Sequence, residues 1–175
     1  MTRTRLMNGF IVIASGALLL IAASAGGRVV GAQSQGYGAV LAGTWIGTFQ
    51  AGLSSISTYN QDGTFVTMRS HEFGGSPRPG VLRSSLRGSW RQAGDHLESV
   101  AFSYNHDGET GEAIGITRIR TVFALDPGFE TFSGEFWVAQ WTCPTSLSCP
   151  DPLADAPDVP EFYGSTFTSR RVRVR

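Results

Sequence analysis

Apolar and polar residues alternate with a period of two in short stretches from Gly43 to the C-terminal Arg175. This is the period of a β-strand, whose successive side chains point to opposite faces of a sheet. No stretch of this part keeps a sustained helical period, although one turn of helix near Tyr37 to Ala42 fits the pattern. The alternation predicts eight strands, at about residues 43–50, 54–60, 64–73, 84–91, 96–104, 113–124, 129–142 and 162–174.

Short segments rich in Gly and Asp separate most of these strands. They are Asp62-Gly63, Ala93-Gly94-Asp95, Asn105-His106-Asp107-Gly108 and Asp126-Pro127-Gly128. Gly and Asp favour the backbone conformations of hairpin turns, and such short links place consecutive strands side by side. The predicted fold is therefore all-β, an eight-stranded antiparallel up-and-down barrel, because closure removes the exposed edges of an open sheet.

The alternation also indicates which side chains face the barrel interior. In the first strand Trp45 and Phe49 share one face with Gly47, and in the fourth Leu86 and Trp90 share one face. In the last strand Val172 and Val174 define an apolar face on which Arg170 also falls. A register error of one residue would invert any of these assignments.

The seventh predicted strand has apolar residues on both faces. Phe132, Phe136 and Val138 lie on one face, while Trp137 and Trp141 lie on the other. The alternation therefore does not decide which face of residues 113–124 and 129–142 points inward. If the tryptophans point outward, they could contact a partner subunit, so a homo-oligomer is one interpretation.

Two connections are longer than turns, at residues 74–80 and 143–160. In a meander both leave the barrel at the same end, together with the links at 51–52 and 105–111. The opposite end has only tight turns. An open mouth and a closed floor are typical of a ligand-binding barrel, although extracellular loops also vary freely in length.

The N-terminal segment has the anatomy of an export signal. Arg3 and Arg5 precede an uncharged apolar stretch from Phe10 to Ala25, and small residues with cleavage-site spacing end at Ala32. We therefore predict a signal peptide at 1–32, a linker at 33–42, a barrel domain at 43–175, and a secreted or periplasmic protein without stable membrane insertion after cleavage. An uncleaved N-terminal anchor is the alternative.

The charge of the predicted mature chain is small. Removal of Arg3, Arg5 and Arg28 from the 14 basic residues leaves 11 against 14 acidic ones, a formal charge of −3. This weak acidic balance argues against nucleic acid as a partner. All basic residues are Arg, so no Lys amine exists for Schiff-base chemistry.

The chain contains two cysteines, Cys143 and Cys149, in a segment rich in Pro, Ser and Asp. In an exported protein they are expected to form a disulfide that stiffens one loop. Two thiols at this spacing, without further Cys or His nearby, do not make a zinc site, so we predict no metal and no cofactor.

Gly43-Thr44-Trp45, on the first strand of a secreted eight-stranded barrel, resembles the calycin superfamily, particularly bacterial lipocalin-like domains. The resemblance implies that Trp45 closes the barrel floor and that an Arg of the last strand packs across its indole. Arg170 is the matching candidate by parity, and Arg171 is the second choice. Leu125 to Gly128 stands where the family carries a Thr-Asp-Tyr-type motif, so that element is missing.

Avidins also begin with a Gly-x-Trp strand in an eight-stranded barrel. In this chain Ile46 and Gly47 occupy the positions after Trp45 at which polar residues contact biotin. The sequence therefore predicts that biotin is not the ligand.

Polar residues that could carry chemistry are few: His71, Glu72, His96, His106, Asp107, Arg118, Arg120 and Glu135. His71 and Glu72 point to opposite faces if their strand is regular, and His106 and Asp107 are typical of a turn. Arg118 and Arg120 share one face, which is more often a solvated outer face. None of the usual hydrolase, zinc-protease or phosphate-binding motifs occurs.

Three function classes remain. We expect a barrel that binds a small apolar molecule, with Phe49, Trp90, Phe136 and Val138 as ligand contacts. The alternatives are an enzyme of the allene-oxide-cyclase-like or dirigent type, which acts by confinement as a cyclase or isomerase, and a structural or interaction barrel with a solid interior. A polar cluster such as Glu135 with Arg118 inside the cavity would favour the enzyme.

Overall fold

A computed structural model describes residues 36–50, 52–72 and 80–173 of the chain. The predicted signal peptide, 1–32, lies outside these residues. A short helical turn at 36–41 precedes the first strand. The strands are β1 Gly43–Phe49, β2 Ser54–Tyr59, β3 Thr64–Arg69, β4 Val81–Arg83, β5 Leu86–Ala93, β6 His96–Asp107, β7 Ala113–Leu125, β8 Thr131–Thr142 and β9 Val159–Arg171.

Eight of these strands close into an antiparallel barrel, which confirms the predicted fold class. Each strand of the barrel pairs with the next one along the chain, except that β3 pairs with β5, and β9 pairs with β1 to close the sheet. β6 pairs with both β5 and β7. The remaining strand, β4, lies outside the closure and pairs with residues 105–107 at the far end of β6. Among the described residues, no helix has the length and apolar character needed to cross a bilayer.

The third predicted strand is too long. The sequence suggested that the third strand reaches residue 73, but β3 ends at Arg69 and the chain turns at residues 70–72. The Glu72 amide donates to the Arg69 carbonyl at 3.1 Å, and the Glu72 carboxylate accepts from the Arg69 amide at 2.8 Å. The turn is therefore closed by the same side chain that the alternation placed in a strand.

The floor of the barrel is packed with large apolar side chains. Trp45 is 0% exposed, and its ring centroid lies 4.7 Å from that of Phe132. Around them pack Leu41, Tyr59, Phe65, Trp90, Leu97, Phe123 and Phe167. These residues flank the tight turns at one end of the barrel, so this end has a solid core.

An arginine locks the N-terminal helical turn to this floor. The Arg171 guanidinium lies over the Trp45 ring, 4.4 Å from its centroid. It also donates to the carbonyls of Val40 and Ala42, which end the turn, and Trp45 Nε1 donates to the Leu41 carbonyl at 2.8 Å. Carbonyl groups at a helix end lack partners within the helix, so these bonds satisfy them.

The residue over Trp45 is thus Arg171, and the assignment of that position to Arg170 is wrong. In β9 the buried residues are Phe167 and Ser169, so Arg171 shares their inward face and Arg170 is exposed on the other. Val172 follows the end of the strand and is 44% exposed, and it does not define the inward face.

The structure also decides the face of β7 and β8. Phe132, Phe136 and Val138 point inward, and Trp137 and Trp141 point outward. Trp141 packs with Ile116, Ala139 and Cys143 in a second cluster outside the barrel.

Other parts of the chain pack against the outward tryptophans, of which Trp141 is buried and Trp137 is half-buried. Cys143 and Cys149 form the predicted disulfide in the loop of residues 143–158. Trp141 Nε1 donates to the Asp155 carbonyl of this loop at 3.0 Å. The guanidinium of Arg120 lies 4.2 Å from the ring centroid of Trp137.

We expect Trp45→Ala to lower the free energy of unfolding by about 3–5 kcal/mol, because it empties a large aromatic site. Arg171→Ala should also destabilise. The double variant should lose about 1 kcal/mol less than the sum of the single variants, because the two side chains stack. Urea unfolding of all three measures the coupling.

Arg170→Ala is the matched control, since it removes the neighbouring, exposed arginine and should change stability by less than about 0.5 kcal/mol. Strict additivity of Trp45→Ala and Arg171→Ala would contradict the stacking.

Replacement of both Cys143 and Cys149 by Ser should lower stability by about 2 kcal/mol and leave a β-type circular-dichroism spectrum. The bridge closes a short loop with a sequence separation of 6, and the barrel pairings do not depend on it. Loss of the folded spectrum in the double variant would show instead that the outer cluster is required for folding.

Candidate functional site

The barrel interior changes character from the floor to the mouth. Above the aromatic floor lies a belt of inward hydroxyl groups from β2, β3, β6, β7 and β9. Its members are Ser55, Ser57, Thr67, Ser99, Thr121 and Ser169. Because a hydroxyl group can both donate and accept, most of this belt can satisfy itself.

The hydroxyls of the belt pair across neighbouring strands. Ser57 and Thr67 are 2.9 Å apart, and Ser99 and Thr121 are 2.6 Å apart, oxygen to oxygen. Gly47 leaves room between two other members, since a Cβ there would lie 2.6 Å from Ser55 Oγ and 2.9 Å from Ser169 Oγ. The absence of a side chain at this position keeps the middle of the barrel from being filled.

Two adjoining chambers occupy the space above the floor. The deep chamber, within the hydroxyl belt, has a volume of about 50 Å³, and the chamber nearer the mouth has a volume of about 270 Å³. Phe49, Arg69, Ile119 and Phe136 line both of them. The mouth chamber is close to the lower end of the usual range of ligand pockets, about 300–1,000 Å³.

Arg69 is the most deeply buried charged group that lines the chambers. It is inward because it shares a face of β3 with Phe65 and Thr67. Its side chain is 5% exposed, and its Nη2 donates to the Ser84 carbonyl and to Ser103 Oγ, both at 3.1 Å. Burial lowers the pKa of this guanidinium to about 10, so it is charged at neutral pH.

Glu72 is the carboxylate nearest to Arg69. Its Oε1 lies 3.6 Å from Arg69 Nε, and its side chain is 3% exposed. Each carboxylate oxygen accepts a further hydrogen bond, Oε1 from the Arg69 amide and Oε2 from Ser85 Oγ at 3.2 Å. Glu72 is therefore held by protein donors and does not line either chamber.

His71 and Arg83 complete the polar wall of the mouth chamber. Burial, followed by the positive charges of Arg69 and Arg83, lowers the pKa of His71 from 6.5 to about 4. The imidazole is therefore neutral at pH 7. Its Nδ1 is buried and has no hydrogen-bond partner among the described residues.

The structure brings three of the four predicted ligand contacts together. Phe49, Phe136 and Val138 line the mouth chamber. Trp90 lies apart from them in the floor, where its Nε1 donates to the Asn60 carbonyl at 3.1 Å. Trp45 is likewise in the floor and not in a chamber.

The other polar candidates do not form a site. Arg118 and Arg120 are outside the barrel, where both form ion pairs with Glu161 at 3.0 and 2.7 Å. Glu135 is exposed, also on the outward face of β8.

Both remaining histidines lie at hairpins. His96 contacts Asp95 beside the turn before β6, and His106 Nδ1 lies 3.2 Å from the Gly111 carbonyl. Asp107 accepts from the amides of residues 109 and 110, as expected of a turn residue. Within the described ranges, no three metal-ligating side chains come together.

Sequence reasoning missed Arg69 and Arg83. The signal for Arg69 was present, because residues 65, 67 and 69 alternate with the exposed Val66 and Met68. An arginine on the inward face of a strand is unusual and is informative when it is found buried. No comparable pattern existed for Arg83, which belongs to a strand of three residues.

Comparison with known proteins adds no assignment: no family model matches the chain, and no curated protein or solved structure is significantly similar to it. The eight-stranded antiparallel barrel is compatible with a calycin-like fold. That likeness rests on architecture alone.

The low pKa of His71 predicts a loss of stability in mild acid. As the pH falls below 6.5, the unfolded chain binds the proton first, and the folded chain binds it only near pH 4. Stability should therefore be constant above about pH 7 and fall between 6.5 and 4. His71→Asn should remove most of this slope in urea unfolding measured from pH 7 to pH 4.5.

Carboxylates with lowered pKa, such as Glu98 and Glu161, lose their contribution as the pH falls below the ordinary value of 4.5. The change in stability between pH 6.5 and 4.5 therefore reports on His71. An identical slope in wild type and His71→Asn would show that the imidazole is not held in its neutral form.

Proposed function

We propose that this protein binds a small, mostly apolar molecule in the mouth chamber of its barrel. The observation that carries the proposal is the chamber of about 270 Å³, above a solid floor. Its apolar wall comes from Phe49, Leu53, Ile119, Phe136, Val138 and Phe162. An apolar cavity with a few convergent polar groups is the usual form of a small-molecule site.

The size of the chambers limits the ligand. The aromatic floor and the hydroxyl belt leave only about 50 Å³ below the mouth chamber. A long or branched lipid would extend out of the barrel, whereas a molecule of one or two rings fits. The proposed ligand is accordingly small and compact.

Export is part of the same proposal. The disulfide between Cys143 and Cys149 is suited to an oxidising compartment, and the N-terminal sequence has the pattern of a signal peptide. A secreted or periplasmic binding protein accounts for both features.

The two alternatives receive less support from the geometry. The cluster that would have favoured a confining enzyme, Glu135 with Arg118, lies on the outer face of the barrel. A solid structural barrel does not account for the two chambers, one of which reaches the middle of the barrel.

Fluorescence titration with the neutral apolar dye N-phenyl-naphthylamine tests the proposal. We expect saturable one-to-one binding by the wild type. Val138→Trp should abolish this binding, because its indole fills the mouth chamber. The control is Val66→Trp, which adds the same indole on the outward face of β3, where Val66 is 37% exposed.

Binding that is lost in Val138→Trp and retained in Val66→Trp locates the dye in the chamber. Wild-type protein that does not bind the dye saturably, or a Val138→Trp variant that binds it normally, would contradict the proposal.

A further inference from the structure

Two serines of the hydroxyl belt are not bonded within the belt. The other four members bond to one another in pairs across neighbouring strands. Ser55 and Ser169 line the deep chamber, are only 6% and 4% exposed, and form no side-chain hydrogen bond with any described residue. A buried hydroxyl group without a partner is costly, so a polar group that enters the chamber and bonds to these serines is stabilised there.

Ser55 and Ser169 lie on either side of Gly47 in one row across the sheet. Gly47 of β1 pairs with Ser55 of β2 and with Ser169 of β9. The position of a Cβ at Gly47 would be 2.6 Å from one hydroxyl oxygen and 2.9 Å from the other. Both oxygens therefore border the same small space. The glycine keeps that space open, because any other side chain would occupy it.

The two chambers differ in what they can hold. The deep chamber, of about 50 Å³, is much smaller than the cavity of about 150 Å³ that holds a benzene ring, so it admits only a group of a few atoms. The mouth chamber, of about 270 Å³, has room for a ring. Phe49, Ile119 and Phe136 line both, so one molecule can extend from the mouth chamber into the deep one.

The geometry points to a neutral molecule with a terminal hydroxyl group as the ligand, with its apolar body in the mouth chamber and its hydroxyl group between Ser55 and Ser169. This inference rests on the proposed function and specifies the ligand class for the same cavity. A ligand hydroxyl group can donate to one serine and accept from the other. The serine row would then select for the hydroxyl group, and the apolar wall for the body of the molecule.

The charged group that lines the deep chamber, Arg69, already has partners in the protein. Its Nη2 donates to the Ser84 carbonyl and to Ser103 Oγ, and Glu72 Oε1 lies 3.6 Å from its Nε. An anionic ligand would lose its hydration beside a cation that Glu72 already partners. A hydroxyl group loses less hydration and finds both of its bonds at the serine row.

Displacement of N-phenyl-naphthylamine by a matched pair of ligands tests the inference. 4-Ethylphenol and 4-ethyltoluene have the same apolar body, and they differ by a hydroxyl group in place of a methyl group of similar size. We expect the wild type to bind 4-ethylphenol at least about fivefold more tightly, because each hydrogen bond to the row adds a few-fold in affinity. The anion 4-ethylbenzoate, the third ligand, should bind more weakly than 4-ethylphenol.

Serine variants locate the hydroxyl group. Ser55→Ala combined with Ser169→Ala should bring the ratio of 4-ethylphenol to 4-ethyltoluene affinity to one or lower. The control combines Ser54→Ala with Thr168→Ala, which removes the hydroxyl groups of two exposed neighbours on the outward face and should leave the ratio unchanged. Dye binding by both variants reports an intact chamber. If the inward double variant loses dye binding, Ser55→Ala alone and the wild-type ratio decide.

The outcomes separate this inference from the proposed function. Equal wild-type affinities for 4-ethylphenol and 4-ethyltoluene would overturn the hydroxyl assignment and leave the apolar chamber intact. An unchanged ratio in the inward serine variant, or tighter binding of 4-ethylbenzoate than of 4-ethylphenol, would also overturn the assignment, because the polar group would then lie away from the serine row. Failure of the dye and of all three ligands to bind would overturn the proposed function itself.

Discussion

The pairing of the first strand with the last is the constraint on which the rest of this barrel depends. β1 and β9 join through five residue pairs, from Trp45 with Arg171 to Phe49 with Phe167. The same pairing brings the Arg171 guanidinium over the Trp45 ring and fixes it to the carbonyls that end the N-terminal helical turn. The pairing that closes the sheet therefore also closes the floor. It joins segments that lie more than a hundred residues apart in the sequence.

A barrel closed in this way has unequal ends. Large aromatic side chains near the tight turns fill the floor, so this end has a solid core. The hydroxyl belt and Gly47 then narrow the middle without filling it. Near the mouth, Arg69 and its partners occupy space that apolar side chains would otherwise pack. A buried cation is stabilising only when it is paired, and Glu72, Ser84 and Ser103 are the partners of Arg69.

The sequence predicted the strands well because two local signals agreed, the period-two alternation and the Gly and Asp turns. It did not predict features that depend on tertiary contacts. Alternation counted from the terminal valines favours Arg170 over Arg171, whereas the buried Phe167 sets the inward face of β9. β3 ends at Arg69 because the Glu72 side chain bonds back to it. Trp141 is buried by the long loop of residues 143–158, whose sequence has no periodic pattern.

Native-state amide hydrogen exchange, followed by NMR, tests the central claim most directly. If the pairing of β1 with β9 holds the barrel together, the slowest amides of Trp45–Phe49 and Phe167–Arg171 should exchange only through global unfolding. Amides of the turn at residues 70–72 and of β4, beside the mouth, should exchange through local opening at lower free energy. Exchange of the β1–β9 amides well below the global free energy, while β6 and β7 stay protected, would contradict the account.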